Sequence, residues 1–213
     1  PLRRAQARGD APHGDEEGKL MFQSFESLTR PEQGPPRLAA LREAMAAEGV
    51  DGFLVPRADA HLGEYVAPRD ERLAWLTGFT GSAGFCAVLA DQAGLFVDGR
   101  YTLQARHQVE TAAFTPVPWP QTKLADWLSE RLPGGGTVGF DPWLHTVKEI
   151  ADLRAKGEDH GITYRETGNL VDACWPDQPG PPRGAFRVHP DALAGESHAD
   201  KRARLAAELA HAG

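Results

Sequence analysis

Apolar and polar positions recur along the chain in two periods, and the switches between them divide it into elements. Leu38, Leu41 and Met45 fall three to four residues apart, which predicts an amphipathic helix from Pro36, a favoured first-turn residue, to Gly49, a left-handed stop. The run F-L-V at 53–55 follows as a buried strand. F-C-A-V-L (85–89) and L-F-V (95–97), separated by A-D-Q-A-G, read as a hairpin whose second strand ends at Asp98. Then come a helix over 101–110, a strand near Phe114, a helix over 123–131 carrying Leu124, Trp127 and Leu128, and the strand T-V-G-F at 137–140. Thr146 and Glu149 form a capping box ahead of Ile150 and Leu153; Gly157 closes that helix, and I-T-Y at 162–164 supplies a further strand. Strands alternating with helices predict an α/β domain with a mixed sheet.

The flanks read differently. The first 20 residues carry only Leu2 and Leu20 as large apolar groups, too few to offset chain entropy, so residues 1–35 are expected to be a disordered tail, with Met21 as the natural start. The main domain is expected over 36–175. P-D-Q-P-G-P-P at 176–182 cannot continue a helix and opens a proline-rich linker over 176–196. Ser197 and Asp200 make a second capping signature. R-L-A-A-E-L-A-H-A-G then repeats the first helix, with Leu205 and Leu209 in the places of Leu41 and Met45 and a closing Gly in both. Residues 197–213 are therefore expected to be the first helix of a second, truncated α/β domain.

Charge narrows the partners. The 23 basic residues are scattered among 30 acidic ones at net charge -7, which argues against a nucleic-acid or anionic-membrane surface and for small-molecule or peptide partners. Two cysteines, Cys86 and Cys174, cannot make a disulfide framework, and no charged stretch followed by an apolar run opens the chain. A cytoplasmic location is expected.

Candidate chemistry is sparse. L-T-G-F-T-G-S-A-G-F at 76–85 sets Gly78, Gly81 and Gly84 around Ser82. A nucleophile elbow requires G-x-S-x-G followed by a helix. Here Thr80 takes the first position and a strand follows. The stretch reads instead as a glycine-rich turn that lets backbone pack before a central strand. Its amides lack both G-x-G-x-x-G and a phosphate-binding lysine. There is no H-E-x-x-H, and His13, His189, His198 and His211 fall in tail, linker or exposed helix, so no metal ligand set is predicted. D-A-H-L-G-E-Y differs, since it places Asp59, His61, Glu64 and Tyr65 in one loop after a buried strand, where polar side chains often serve a site. The alternative is that Asp59 and His61 satisfy turn amides. D-G-R-Y at 98–101 has two readings as well, because Asp98 can cap the next helix while Arg100 lies on its surface.

In order, D-A-H-x-x-E-Y, A-P-R-D-E-R, G-F-T-G-S-A-G, D-G-R-Y-x-x-Q-A, V-G-F-D-P and N-L-V-D-x-x-W resemble the amino-terminal domain of the three-domain Xaa-Pro aminopeptidases, over about residues 36–182. The resemblance implies a creatinase-type domain with a ribonuclease-H-like α/β fold, a second such domain, and then a pita-bread catalytic domain. It implies a parent metallo-aminopeptidase that removes the residue before proline, using two divalent metal ions (manganese or zinc) held outside this chain. For this chain it implies no catalytic residue and no metal ligand. The implied role is to enclose the active-site cleft, limit substrate length and join in homo-oligomer (dimer) contacts, with Asp59, His61, Glu64, Tyr65 and Arg100 as substrate-cleft candidates. A stand-alone binding or assembly module is the alternative.

Overall fold

The computed structural model describes residues 29–213. Its six strands are β1 (Gly52–Pro56), β2 (Phe85–Leu89), β3 (Ala93–Val97), β4 (Thr115–Pro118), β5 (Gly136–Phe140) and β6 (Ile162–Glu166), in the order β4-β3-β2-β1-β5-β6. β2 runs antiparallel to β1 and β3, and every other pairing is parallel. The sheet is mixed, as expected. The carboxyl ends of β1, β3, β4, β5 and β6 therefore share one edge with the start of β2.

Period-two alternation sends neighbouring side chains to opposite faces. Phe53 and Val55 join α1 (Gly34–Glu48), α2 (Arg72–Thr77), α3 (Thr102–Gln108) and α6 (Leu170–Cys174) in one apolar cluster. Leu54 points the other way, into a cluster with α4 (Leu124–Arg131) and α5 (Val147–Gly157). Phe53, Phe96, Phe114 and Leu41 are fully buried, each contributing about 1.5–3 kcal/mol relative to exposure.

Several boundaries differ from the sequence reading. The predicted tail lies mainly outside the described residues, as does Met21. Within them, Pro31–Gln33 form a 3₁₀ turn and α1 opens at Gly34, two residues before Pro36. This first turn packs closely on the sheet side, since a Cβ on Gly34 would stand 2.8 Å from the Phe114 ring. Phe114 thus plugs the α1 side, and the strand predicted near it begins one residue later. β3 starts at Ala93, because Ala93 and Gly94 still pair with Val88 and Ala87, and Trp127 lies against Gly94. The helix expected over 101–110 is a 3₁₀ turn at Gly99–Tyr101 followed by α3.

Three short helices escaped the pattern, α2, α6 and α7 (Asp191–Ala194), the last inside the predicted linker, and one ion-pair cluster joins α2 to α6. Arg72 donates through Nε and one terminal nitrogen to both carboxylate oxygens of Asp172 (2.6 and 2.9 Å) and through the other to Asp70 (2.9 Å). Gln178 donates to Asp172 and to the Arg69 carbonyl, so the start of the proline-rich stretch is tied to the same cluster. Beyond it lie the short α7 (Asp191–Ala194) and α8 (His198–Ala212), whose Ser197 cap accepts from the Asp200 N–H (3.1 Å). Leu205 and Leu209 on α8 are 54% and 64% exposed. No helix among the described residues is long and apolar enough to cross a membrane.

Arg72→Ala is expected to destabilise the chain by about 3 kcal/mol, since it strands the Asp172 and Asp70 carboxylates in a largely buried setting. Asp172→Asn should cost less. Denaturant midpoints of the two variants check the order.

Candidate functional site

The segments singled out from sequence converge at the carboxyl end of the sheet, the edge where open α/β sheets commonly bind ligands. D-A-H-L-G-E-Y leaves β1, G-F-T-G-S-A-G enters β2, and D-G-R-Y leaves β3.

The first loop is shaped by Asp59. Its Oδ1 accepts from the backbone N–H of Gly63 (3.1 Å) and of His61 (2.9 Å), and Leu62 sits at φ 52 in the turn so formed. The Gly63 hydrogen bond is the chief reason that the Asp59 carboxyl lies below its ordinary range. Asp59 therefore does take the turn-closing role. His61 contributes only its backbone to that turn, and the side chains of His61, Glu64 and Tyr65 make no hydrogen bond or ion pair with another described residue. All three are exposed, Tyr65 to 88%.

Arg57, which the sequence reading passed over, fastens this loop to the next. One terminal nitrogen donates to the carbonyls of Glu64 (2.8 Å) and Ser82 (3.1 Å), and the other lies 3.6 Å from Glu71 Oε1. Its backbone N–H donates to Gly84 O (3.1 Å). The Arg57 side chain is 12% exposed, while the two carbonyls that it holds belong to exposed residues. Burial pushes the Glu71 carboxyl up, and Arg57 opposes that shift.

The glycine-rich stretch is a packing turn. Gly78 takes φ 86 to end α2, and a Cβ on Gly81 would fall 2.2 Å from the Phe79 ring. Ser82 Oγ shares a 2.6 Å hydrogen bond with the Tyr101 hydroxyl and makes none to a histidine. Thr80 is held by Gln108 on α3. Asp98 caps the 3₁₀ turn through the Arg100 N–H (2.9 Å) and pairs with the Arg100 guanidinium (2.7 Å). The side-chain bond from Arg100 is the main cause that depresses the Asp98 carboxyl. Arg100 itself is 68% exposed, over the Tyr101 ring. The chain Arg57–Ser82–Tyr101 thus links the loop of His61, Glu64 and Tyr65 to that of Arg100. Among the described residues no group of three or more His, Cys, Asp and Glu is placed to hold a metal ion, so these residues do not fit a metal centre. Cys86 is fully buried and burial raises its thiol pKa, which suits a small apolar residue.

A family model described as the creatinase/prolidase N-terminal domain matches residues 37–174. The chain belongs to this family. The "Probable Xaa-Pro aminopeptidase P" of Neosartorya fischeri is 39% identical over 181 residues, covering 81% of the chain and 27% of that protein. Human "Xaa-Pro aminopeptidase 2" is 35% identical over 167 residues, 77% of the chain and 25% of its own length. The chain thus spans about a quarter of the curated relatives it matches. The Caenorhabditis elegans X-prolyl aminopeptidase, described as a cytosolic enzyme with a di-nuclear active site, superposes with a TM-score of 0.64 at 32% identity, covering 69% of this chain and 26% of that one. The N-terminal domain of a cytoplasmic peptidase from Mycobacterium tuberculosis, 24% identical, shares the fold at a TM-score of 0.51, covering 66% of this chain and 98% of that domain.

Because the folded-state pKa of Asp59 is depressed, its turn-closing contribution is present above the ordinary aspartate pKa and is lost as pH falls through the lower folded value. The amide proton shifts of His61 and Gly63 are expected to titrate together with a midpoint below the ordinary aspartate value of about 3.9. Asp59→Ala should abolish that step; an NMR pH titration checks both.

Proposed function

We propose that the chain is the non-catalytic amino-terminal domain of a metal-dependent Xaa-Pro aminopeptidase, a cytoplasmic and homo-oligomeric hydrolase of proline-containing peptides. In this reading residues 36–175 form the domain, 176–196 a linker, and 197–213 the first helix of a second such domain. The two divalent metal ions belong to the parent's catalytic domain. The carboxyl-end loops help enclose the active-site cleft, and His61, Glu64, Tyr65 and Arg100 meet the distal part of longer peptides.

One observation carries the reading. The backbone of the 59–65 loop is held by Asp59 and Arg57, yet the side chains of His61, Glu64 and Tyr65 make no hydrogen bond or ion pair with another described residue. A turn needs only the Asp59 carboxylate, so the other polar side chains are left for something outside this domain. The exposed apolar face of α8 supports a following unit, because an isolated amphipathic helix is marginal in water.

In the full-length parent, His61→Ala or Tyr65→Ala is expected to leave the melting temperature of the 213-residue chain within a degree or two, and to lower kcat/KM by about tenfold for peptides of five or more residues but little for tripeptides. Unchanged kinetics with a lower melting temperature would return the loop to a structural role. The chain alone should release no amino-terminal residue from Xaa-Pro peptides and should bind manganese or zinc no more tightly than scattered surface carboxylates do. Peptide hydrolysis assays and calorimetric metal titrations test these two expectations.

A further inference from the structure

A cavity of about 390 Å³ opens where the described residues begin, and Thr29 and Arg30 are part of its wall, together with Val66, Pro68, Trp75 and Trp175. Thr29 also stands beside Gly78, the residue that ends α2, since a Cβ built on Gly78 would lie 3.8 Å from the Thr29 Cβ. The preceding residues therefore join the chain at the cavity itself.

Much of the wall is already committed. Glu71 lies 3.6 Å from Arg57, and Arg37 donates to the Trp75 carbonyl from a position 4.7 Å from the centre of the Trp75 ring. The Trp75 and Trp175 rings stack at 5.1 Å, which leaves Trp175 9% exposed. What is left is apolar volume against Val66, Pro68 and the indoles, and the Arg30 guanidinium, which makes no hydrogen bond or ion pair with another described residue. An occupant that suits this wall brings apolar side chains and one negative charge.

We propose that residues 21–28 of the same chain fill this cavity. Their sequence, M-F-Q-S-F-E-S-L, carries Met21, Phe22, Phe25 and Leu28, four large apolar side chains in eight residues, against Leu2 and Leu20 in the twenty before. That density is what ordering a segment against chain entropy requires. Met21, Phe25 and Leu28 fall four and three residues apart, the spacing of one helix face, with Phe22 beside it. Glu26 is the one charged residue of the segment and is opposite in sign to Arg30. Eight residues span about 12 Å as a helix and up to about 27 Å extended, so the segment reaches across the cavity from Thr29 in either form. Its covalent link at the cavity wall gives it a high effective concentration there, which favours it over a second copy of the chain. The disordered tail expected from sequence then ends near residue 20, and the filled cavity braces Gly78, where the glycine-rich stretch begins. The proposal does not rest on the peptidase reading.

The test compares the 213-residue chain with versions that begin at Met21 and at Thr29. Removing residues 1–20 is expected to leave the melting temperature within about a degree, and removing residues 1–28 to lower it by at least about 4 °C. Phe22→Ser combined with Phe25→Ser in the full chain should reproduce most of that loss. A second measurement needs no variant: in the intact labelled chain, nuclear Overhauser contacts are expected from the Phe22 or Phe25 ring protons to the Val66 methyls or the Trp175 indole. In an equimolar mixture of labelled and unlabelled chain, those contacts should stay within one molecule. A melting temperature indifferent to the loss of residues 21–28, Phe22 and Phe25 rings without contact to the cavity wall, or contacts that cross between molecules would overturn the proposal.

Discussion

The Arg57 guanidinium touches three separate segments at the carboxyl end of the sheet: the Glu64 carbonyl, the Ser82 carbonyl and the Glu71 carboxylate. Loops are ordinarily the least constrained part of a fold, because exposed backbone trades its hydrogen bonds freely with water. A cation that bonds to three segments at once, with its own side chain 12% exposed, works against this locally. Charge-assisted bonds to two carbonyls hold two loops at one spacing, and the ion pair anchors the donor itself. The positions of His61, Glu64 and Tyr65 depend on this constraint, since side chains on a drifting loop hold no fixed place.

The sheet decides where that constraint acts. Five strands run one way, so their exits share an edge, and antiparallel β2 brings the glycine-rich stretch in at the same edge. The close approach of Gly81 to Phe79 and Tyr101 then lets Ser82 reach the Tyr101 hydroxyl. Sequence spacings of 20 to 40 residues collapse into one surface by topology alone. The Arg72–Asp172–Asp70 cluster performs the complementary task on the α2 and α6 side, tying the segment that follows the loop to the far end of the domain.

Much of this was legible in the chain. The apolar runs of β1, β2, β3, β5 and β6 follow from period and from β-branched and aromatic content, and the Thr146 and Ser197 caps from their spacing to Glu149 and Asp200. The α2 and α6 helices were not legible, because six and five residues give no helical period to count. Their partnership through Arg72 and Asp172 spans 100 positions. In the candidate site, the density of Asp59, His61, Glu64 and Tyr65 flagged the loop, and Asp59 proved to be the turn closer. Arg57 carried no signal, since a single arginine after a strand reads as a surface residue. Only the burial of its side chain between two carbonyls distinguishes it.

The most direct measurement of the central claim compares backbone order parameters in the 213-residue chain and its Arg57→Ala variant. If Arg57 sets the spacing of the two loops, order parameters at 62–66 and at 81–84 should fall together, from about 0.85 towards 0.6, while Phe53 and Val88 in the sheet stay rigid. Loops that remain ordered without Arg57, or a change in only one of them, would contradict it.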